Sequence, residues 1–336
     1  MALGLCGLAA ASAQDWSRNT GQLTSEFAES KAVCGSVLNR EPPAADRPDA
    51  GTAASLKGCD SEKLYYGIGM KADPVRARQC AFLQMRRDPP HFGFAGQAML
   101  MIIYANGVGA KRDLDVATHL ACGLDAGADE MNQRVLHLAR LKAKGWSGHD
   151  FGFCDDASSS GAMGACTSHE AILSAPAREA RIVRLTRGLK GRDRKAFVAL
   201  RRDHAAFARD SADEVDPSPR LRWMNSVNEE EKARDDFVDL LQRLASGRVP
   251  AATHARLAAS EAKLNRTYRK ALAEADPDLP GSIWRANLGK AQRAWLRYRD
   301  SFLAFAAVKY PSVPRDSLVA WLTERRTKML ESLGED

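Results

Sequence analysis

Apolar positions recur at three- and four-residue steps through most of the chain, most plainly where Leu288, Ala291, Trp295, Tyr298, Phe302 and Phe305 share one helix face. That stripe reads as core packing. From residue 168 onward the pattern predicts helices, interrupted at Asp216-Pro217-Ser218-Pro219 and again at Asp276-Pro277-Asp278-Leu279-Pro280-Gly281-Ser282. Glycines and serines between residues 145 and 171 mark a domain boundary. Near the start, a short helix over residues 23–38 precedes Glu41-Pro42-Pro43-Ala44-Ala45-Asp46-Arg47-Pro48-Asp49, which its prolines keep out of a helix. The fold class that follows is all-α.

The first half also contains an internal repeat. Gly67-Ile68-Gly69, Asp73, Ala77 and Ala81 are matched forty positions later by Gly107-Val108-Gly109, Asp113, Ala117 and Ala121. Each copy reads as a tyrosine-bearing apolar helix, a glycine pair that ends it, a charged connector, and a second helix whose alanines allow close packing. A lone helix pair cannot bury its apolar face and must stack on a neighbour. Tyr104-Ala105-Asn106-Gly107-Val108-Gly109-Ala110-Lys111-Arg112-Asp113, followed by Ala117, resembles the Sel family of tetratricopeptide-like repeats, and Leu64-Tyr65-Tyr66-Gly67-Ile68-Gly69 is similar with a shorter turn. The resemblance covers roughly residues 59–145. It implies a curved solenoid that binds other proteins and is laced by disulfides in some secreted members. Two copies fall short of the about three units such stacks usually need, so disulfides or packing on the rest of the chain must compensate.

A chain of 336 residues, 45% apolar and 27% charged, has the composition of a globular protein with room for two or three domains. Residues 1–13 combine an apolar run with the small-residue triplet Ala11-Ser12-Ala13, the pattern of a secretory signal too short to span a bilayer. Leu5 ahead of Cys6 argues against a lipid anchor. Cleavage after Ala13 removes Cys6 and leaves six cysteines, an even set that implies three bridges in an oxidising compartment. Sequence proximity and the repeat favour Cys34 with Cys59, Cys80 with Cys122, and Cys154 with Cys166. No CxxC pair supports zinc. His149, Asp150, Cys154, Asp155 and Asp156 could be drawn as a metal site, but one histidine among carboxylates fits a disulfide loop better. The expected location is periplasmic or secreted, with no transmembrane segment in the processed chain.

The net charge of +7 is spread over a chain with 42 acidic residues and does not by itself imply nucleic acid. The densest basic run is Arg178, Arg181, Arg184, Arg187 and Lys190, followed by Arg192, Arg194, Lys195, Arg201 and Arg202. A solvated helix face is its ordinary meaning; an electrostatic binder of anionic envelope surfaces or polymers is the alternative function. Catalytic chemistry lacks its parts. The seven histidines are scattered outside any nucleophile or zinc motif, no GxxxxGK loop occurs, and no cofactor is expected.

Three further signatures close the chain: Leu264-Asn265-Arg266-Thr267-Tyr268-Arg269-Lys270, Ala291-Gln292-Arg293-Ala294-Trp295-Leu296-Arg297-Tyr298-Arg299-Asp300, and Leu322-Thr323-Glu324-Arg325-Arg326-Thr327-Lys328-Met329-Leu330. Together they resemble the lysozyme inhibitor LprI-like family of exported bacterial proteins over residues 245–333, with the Cys154–Cys166 loop as an upstream part. The motif residues are Leu264, Asn265, Tyr268, Gln292, Trp295, Arg299, Asp300, Leu322, Thr323, Arg326 and Leu330. The resemblance implies a helical bundle that binds a target protein, with lysozyme inhibition attributed to some members. Many members join the last two helices by a cysteine pair, and here those positions are Leu303 and Leu318.

Arg299, Asp300, Asn265 and Arg326 adjoin the apolar stripes, where buried charges need partners, so they are expected to satisfy one another structurally. A cationic lysozyme would be repelled by a basic chain unless a local acidic patch intervened, and Glu229-Glu230-Glu231, Asp235, Asp236 and Asp239 offer one. Weak or no inhibition is the expectation. The implied layout is a signal at 1–13, a stapled loop-rich segment at 14–58, helical repeats at 59–145, a disulfide loop and basic helical region at 146–244, and the LprI-like part at 245–336. Residues 196–203 echo 293–300, which raises a duplicated bundle.

Overall fold

The computed structural model describes residues 16–18, 25–85, 93–214, 221–275 and 283–333. The expected signal at 1–13, and the proline breaks at 216–219 and 276–282, lie outside them. Among the described residues there are thirteen α-helices and no strand, and none of those helices is long and apolar enough to cross a membrane. The chain divides into two compact units, residues 1–169 and 170–336.

The first unit contains α1 (Ala28–Ser36), α2 (Ala50–Ser55), α3 (Ser61–Tyr66), α4 (Pro74–Gln84), α5 (Gly96–Asn106), α6 (Leu114–Cys122), α7 (Ala128–Ala143) and the start of α8 (Ser160–Leu185). The forty-residue repeat is a repeat of structure. Gly67 and Gly107 end α3 and α5 at φ of 72° and 66°, a left-handed conformation that favours glycine. The Asp73 N–H then donates to the Leu64 carbonyl at 2.7 Å, and the Asp113 N–H to the Tyr104 carbonyl at 3.0 Å. Both aspartates cap the helix that follows: Asp73 accepts from the Arg76 N–H, and Asp113 from the Asp115 and Val116 N–H groups. Ala77, Ala81, Ala117 and Ala121 are fully buried. Helix α5 lies between α4 and α6 and is buried on every side, which is why Met99 through Ile103 read as an unbroken apolar run. In place of a third copy, α7 packs on α6 and α1 packs on α7.

Two of the three expected cysteine pairings are overturned. The bridges are Cys34–Cys122, Cys59–Cys80 and Cys154–Cys166, with Cα separations of 5.8, 6.0 and 5.7 Å. Proximity in sequence misleads because the helix packing sets the partners. Cys80 is buried on α4 with Leu56, Leu64 and Ile103, beside the chain entering α3. Cys34 and Cys122 belong instead to the core formed where α1 meets α6 and α7. The bridge at Cys34 therefore ties the N-terminal helix across the repeats, over a sequence separation of 88, instead of closing the proline-rich loop.

The serine- and glycine-rich stretch is also helical from Ser160, since the Ser159 hydroxyl accepts from the Ala162 N–H at 3.2 Å and starts α8. The preceding loop is held by Glu130, fully buried on α7, which accepts from the Ser158 and Ser159 N–H groups and from Arg134 at 2.7 Å. Burial raises the Glu130 carboxyl, but Ser159 and Arg134 outweigh it and hold the group below the usual range.

The second unit comprises the rest of α8 with α9 (Gly191–Ser211), α10 (Arg222–Ala245), α11 (His254–Glu274), α12 (Arg285–Lys309) and α13 (Arg315–Glu331). Successive helices alternate in direction: Asp193 faces Lys309 and Asp203 bonds Ser301, so α9 and α12 are antiparallel, whereas Arg256–Glu324 and Lys263–Glu331 make α11 and α13 parallel. The α12 stripe, Leu288 through Phe305, is buried as its periodicity predicts. The echo between 196–203 and 293–300 does not align burial: Val198 is exposed where Trp295 is buried, and Leu200 is buried where Arg297 is exposed.

Candidate protein-binding site

The three motif segments meet inside the second unit, where most of their residues serve as scaffold. Leu264, Trp295, Leu322, Thr323 and Leu330 are buried, Tyr268 and Gln292 are half-buried, and Asn265 is exposed. Arg326 is fully buried, and its partner is one the sequence did not suggest. Its two terminal nitrogens donate to the Glu214 carboxylate at 2.8 and 2.6 Å, its Nε donates to Gln292 Oε1 at 3.0 Å, and its guanidinium lies 5.5 Å from the centre of the Phe207 ring. Burial raises the Glu214 carboxyl above its usual range, against the pull of Arg326. The expectation that Arg299, Asp300, Asn265 and Arg326 pair with one another is corrected accordingly. Arg299 does bond Asp300 at 2.9 Å and stacks over Trp295, but Arg326 bonds neither, and the Asn265 carbonyl accepts from Arg269.

Beside this scaffold, the connection from α12 to α13 frames an open cavity of about 510 Å³, lined by Asp300, Leu303, Ala304, Ala307, Pro311, Val313, Pro314, Arg315 and Leu318. Two prolines stiffen the connection. The Tyr310 N–H returns to the Ala306 carbonyl at 2.7 Å to close α12, and Pro314 stands immediately before the first residue of α13. Leu303 and Leu318, the positions where the family resemblance implies cysteines, are both buried and form part of the lining. A lining that mixes apolar side chains with a carboxylate, Asp300, and a guanidinium, Arg315, suits a protein side chain or a short peptide. The lining supplies no nucleophile beside a base.

The acidic segment of α10 does not form an open patch. Glu229 pairs with Lys232, Glu230 with Arg234, Glu231 with Arg178 and Arg234, Asp235 with Arg178, Asp236 with Arg325, and Asp239 with Arg243 and Arg325. The expectation of a local acidic field for a cationic partner is overturned, because the neutralising cations come from α8 and α13 as well as from α10 itself. Around the Cys154 loop, the residues considered for a metal are spent on other bonds: His149 Nδ1 lies 2.7 Å from the Asn106 carbonyl, Asp155 accepts from the Gly152 N–H, and Asp156 bonds His137. Among the described residues, no three metal-ligating side chains converge.

Glu214 and Ser317 are contributors that the sequence did not single out, and Arg178, named there only as part of the basic run, is buried against Glu231 and Asp235. Glu214 precedes a proline break and looks like loop, and Ser317, buried, accepts from the Ala252 N–H at 3.0 Å to anchor the chain entering α11. Only the basic periodicity that includes Arg178 gave a signal, and it pointed outward.

Residues 246–330 match the family model described as Lysozyme inhibitor LprI. No curated protein and no solved structure matches the chain significantly.

Proposed function

We propose that this protein is an exported, non-enzymatic binding protein of the bacterial envelope, whose second unit holds a protein partner at the cavity between α12 and α13. The observation that carries this reading is the coincidence of the LprI match with a buried scaffold: Arg326 ties the third matched segment to Gln292 of the second, and the chain between those two segments lines a stiffened, open cavity. Three disulfides fit an oxidising compartment, periplasmic or extracellular. The stacked helix pairs α3–α4 and α5–α6 are read as Sel-type repeats that offer a second recognition surface.

Lysozyme is the sharpest partner to test, and charge argues against strong inhibition. The second unit carries 32 basic and 24 acidic side chains, a net +8, and its acidic segment is already neutralised. A cationic enzyme would be repelled during encounter. Purified oxidised protein should therefore inhibit lysozyme weakly or not at all at physiological salt; potent inhibition would refute this. The binding role itself is tested by crosslinking in intact envelopes, comparing the native chain with Ala304→Arg/Ala307→Arg, two exposed cavity positions. A partner captured by the native chain and lost from the variant supports the site, and identical capture by both removes it.

A further inference from the structure

The basic run on α8 and α9 divides into two groups that differ in what they can do. Arg178 is buried against Glu231 and Asp235, Arg181 donates to Gln242, Arg201 bonds Glu179, and Arg202 bonds Asp203. The first three tie α8 to α10 and α9, whereas Arg202 bonds only its own neighbour in α9. Arg184, Arg187, Lys190, Arg192, Arg194 and Lys195 are exposed, and among the described residues none of the six has a carboxylate partner. They crowd the last turn of α8, the turn between α8 and α9, and the first turn of α9. The single acid among them, Asp193, faces Lys309 at 3.8 Å. Arg248 and Arg315, at the other two connections on this end of the bundle, add further positive charge without a carboxylate partner among the described residues.

Charge is accordingly uneven along the chain. Residues 1–169 carry 17 basic and 18 acidic side chains, a net −1, so the whole surplus lies in the second unit and is densest at this hairpin tip. Two apolar side chains flank the cations: Val183 is 52% exposed and Val198 60%.

We propose that the α8–α9 hairpin tip docks this unit onto an anionic phospholipid surface, its cations meeting headgroup phosphates while Val183 and Val198 enter the headgroup–acyl boundary. Exposed cations with apolar neighbours match an interface that is both charged and oily. A nucleic-acid strand would instead call for aromatic platforms, and none of residues 183–198 that is exposed is aromatic. The proposal does not rest on the partner cavity, since none of Arg184, Arg187, Lys190, Arg192, Arg194 and Lys195 lines it.

The test uses the full oxidised chain and vesicles of equal parts phosphatidylglycerol and phosphatidylcholine, with pure phosphatidylcholine as the neutral surface. The native protein should sediment with the anionic vesicles only and be released steeply by salt. Arg187→Glu/Lys190→Glu/Arg194→Glu/Lys195→Glu should weaken binding at least about a hundredfold. Lys111→Glu/Arg140→Glu/Arg266→Glu/Lys328→Glu, an equal change of charge at exposed positions elsewhere, should weaken it about threefold or less once salt screens distant charges. Val183→Ser/Val198→Ser should cost about tenfold. All substituted positions are exposed, and unchanged thermal unfolding verifies the fold of each variant. Equal losses for the two charge sets would reduce the effect to overall charge and overturn the proposal. So would indifference to the valine changes together with equally tight binding of duplex DNA, which would make the tip a general polyanion binder.

Discussion

Arg326 and Glu214 stand 112 positions apart in sequence and meet as a two-pronged ion pair, with neither side chain appreciably exposed. Desolvation makes such a pair weak as a source of stability and costly to break from one side. Arg326→Met should therefore lower the stability of the second unit by about 3–5 kcal/mol. Arg326→Met/Glu214→Leu should recover much of that loss, because no uncompensated charge remains. Urea unfolding of the two variants checks both outcomes, and an unrecovered double variant would show that the pair contributes more than mutual neutralisation.

The turn of the second helix pair rests on the first. A β-carbon on Gly109 would come within 2.7 Å of the Pro74 carbonyl carbon, whereas one on Gly69, at the matching position of the first pair, would meet nothing within 4 Å. Both glycines have positive φ, 90° and 71°, so alanine is strained at either. Gly69→Ala should cost about 1–2 kcal/mol from backbone strain alone. Gly109→Ala should cost clearly more, since the stacked copies must separate, and thermal unfolding of the two variants reads the difference. Equal costs would show that this contact yields without penalty.

His204 is enclosed by Phe237, on which it stacks at 4.1 Å, and by Tyr298, and burial pushes its imidazole down to about 4 from the ordinary 6.5. Between those values the unfolded chain binds a proton that the folded one refuses, so stability rises with pH across this window. The contribution is fully present above about pH 6.5, falls as the pH drops toward 4, and amounts to about 3 kcal/mol. Urea midpoints for the native chain and for His204→Phe, measured from pH 7 to pH 4, should converge as the pH falls or cross in favour of phenylalanine. A constant difference would exclude His204 from the acid response.

The neutralised carboxylates of α10 supply a gain-of-function test. Lys232 and Arg234 are surface partners of Glu229, Glu230 and Glu231. Lys232→Ala/Arg234→Ala should unmask negative charge and speed association with a cationic lysozyme severalfold at low salt, an advantage that disappears at high salt. Stopped-flow association at two ionic strengths reads this directly, and an unchanged rate would place the encounter surface elsewhere.

Features set by local periodicity were legible in the sequence. The α12 stripe announced its burial through its spacing, and the forty-residue step from Asp73 to Asp113 marked two turns that share one hydrogen-bond pattern. Features set by packing were not. Cys34 reaches Cys122 because α1 crosses to α6 and α7, a route that nearest-neighbour pairing cannot anticipate. The α10 carboxylates looked open because two of their cations, Arg178 and Arg325, lie more than fifty positions away in sequence. At the cavity, Asp300, Leu303 and Leu318 stood out in the sequence, whereas Ala304, Ala307, Pro311 and Pro314 gave no sign, since an alanine on a helix face is silent until the neighbouring turn is in place.

Every bridge in the described chain lies before residue 167, and the second unit contains no cysteine at all. A reductant thus acts on one half of the polypeptide and leaves the other to its buried aromatic residues. Treatment with dithiothreitol should loosen the amino-terminal half, by an amount on the order of 4–5 kcal/mol for the longest loop alone, while the carboxy-terminal half keeps its melting profile. Reduced in this way, the polypeptide would lose its covalent ties in one compact unit and none in the other.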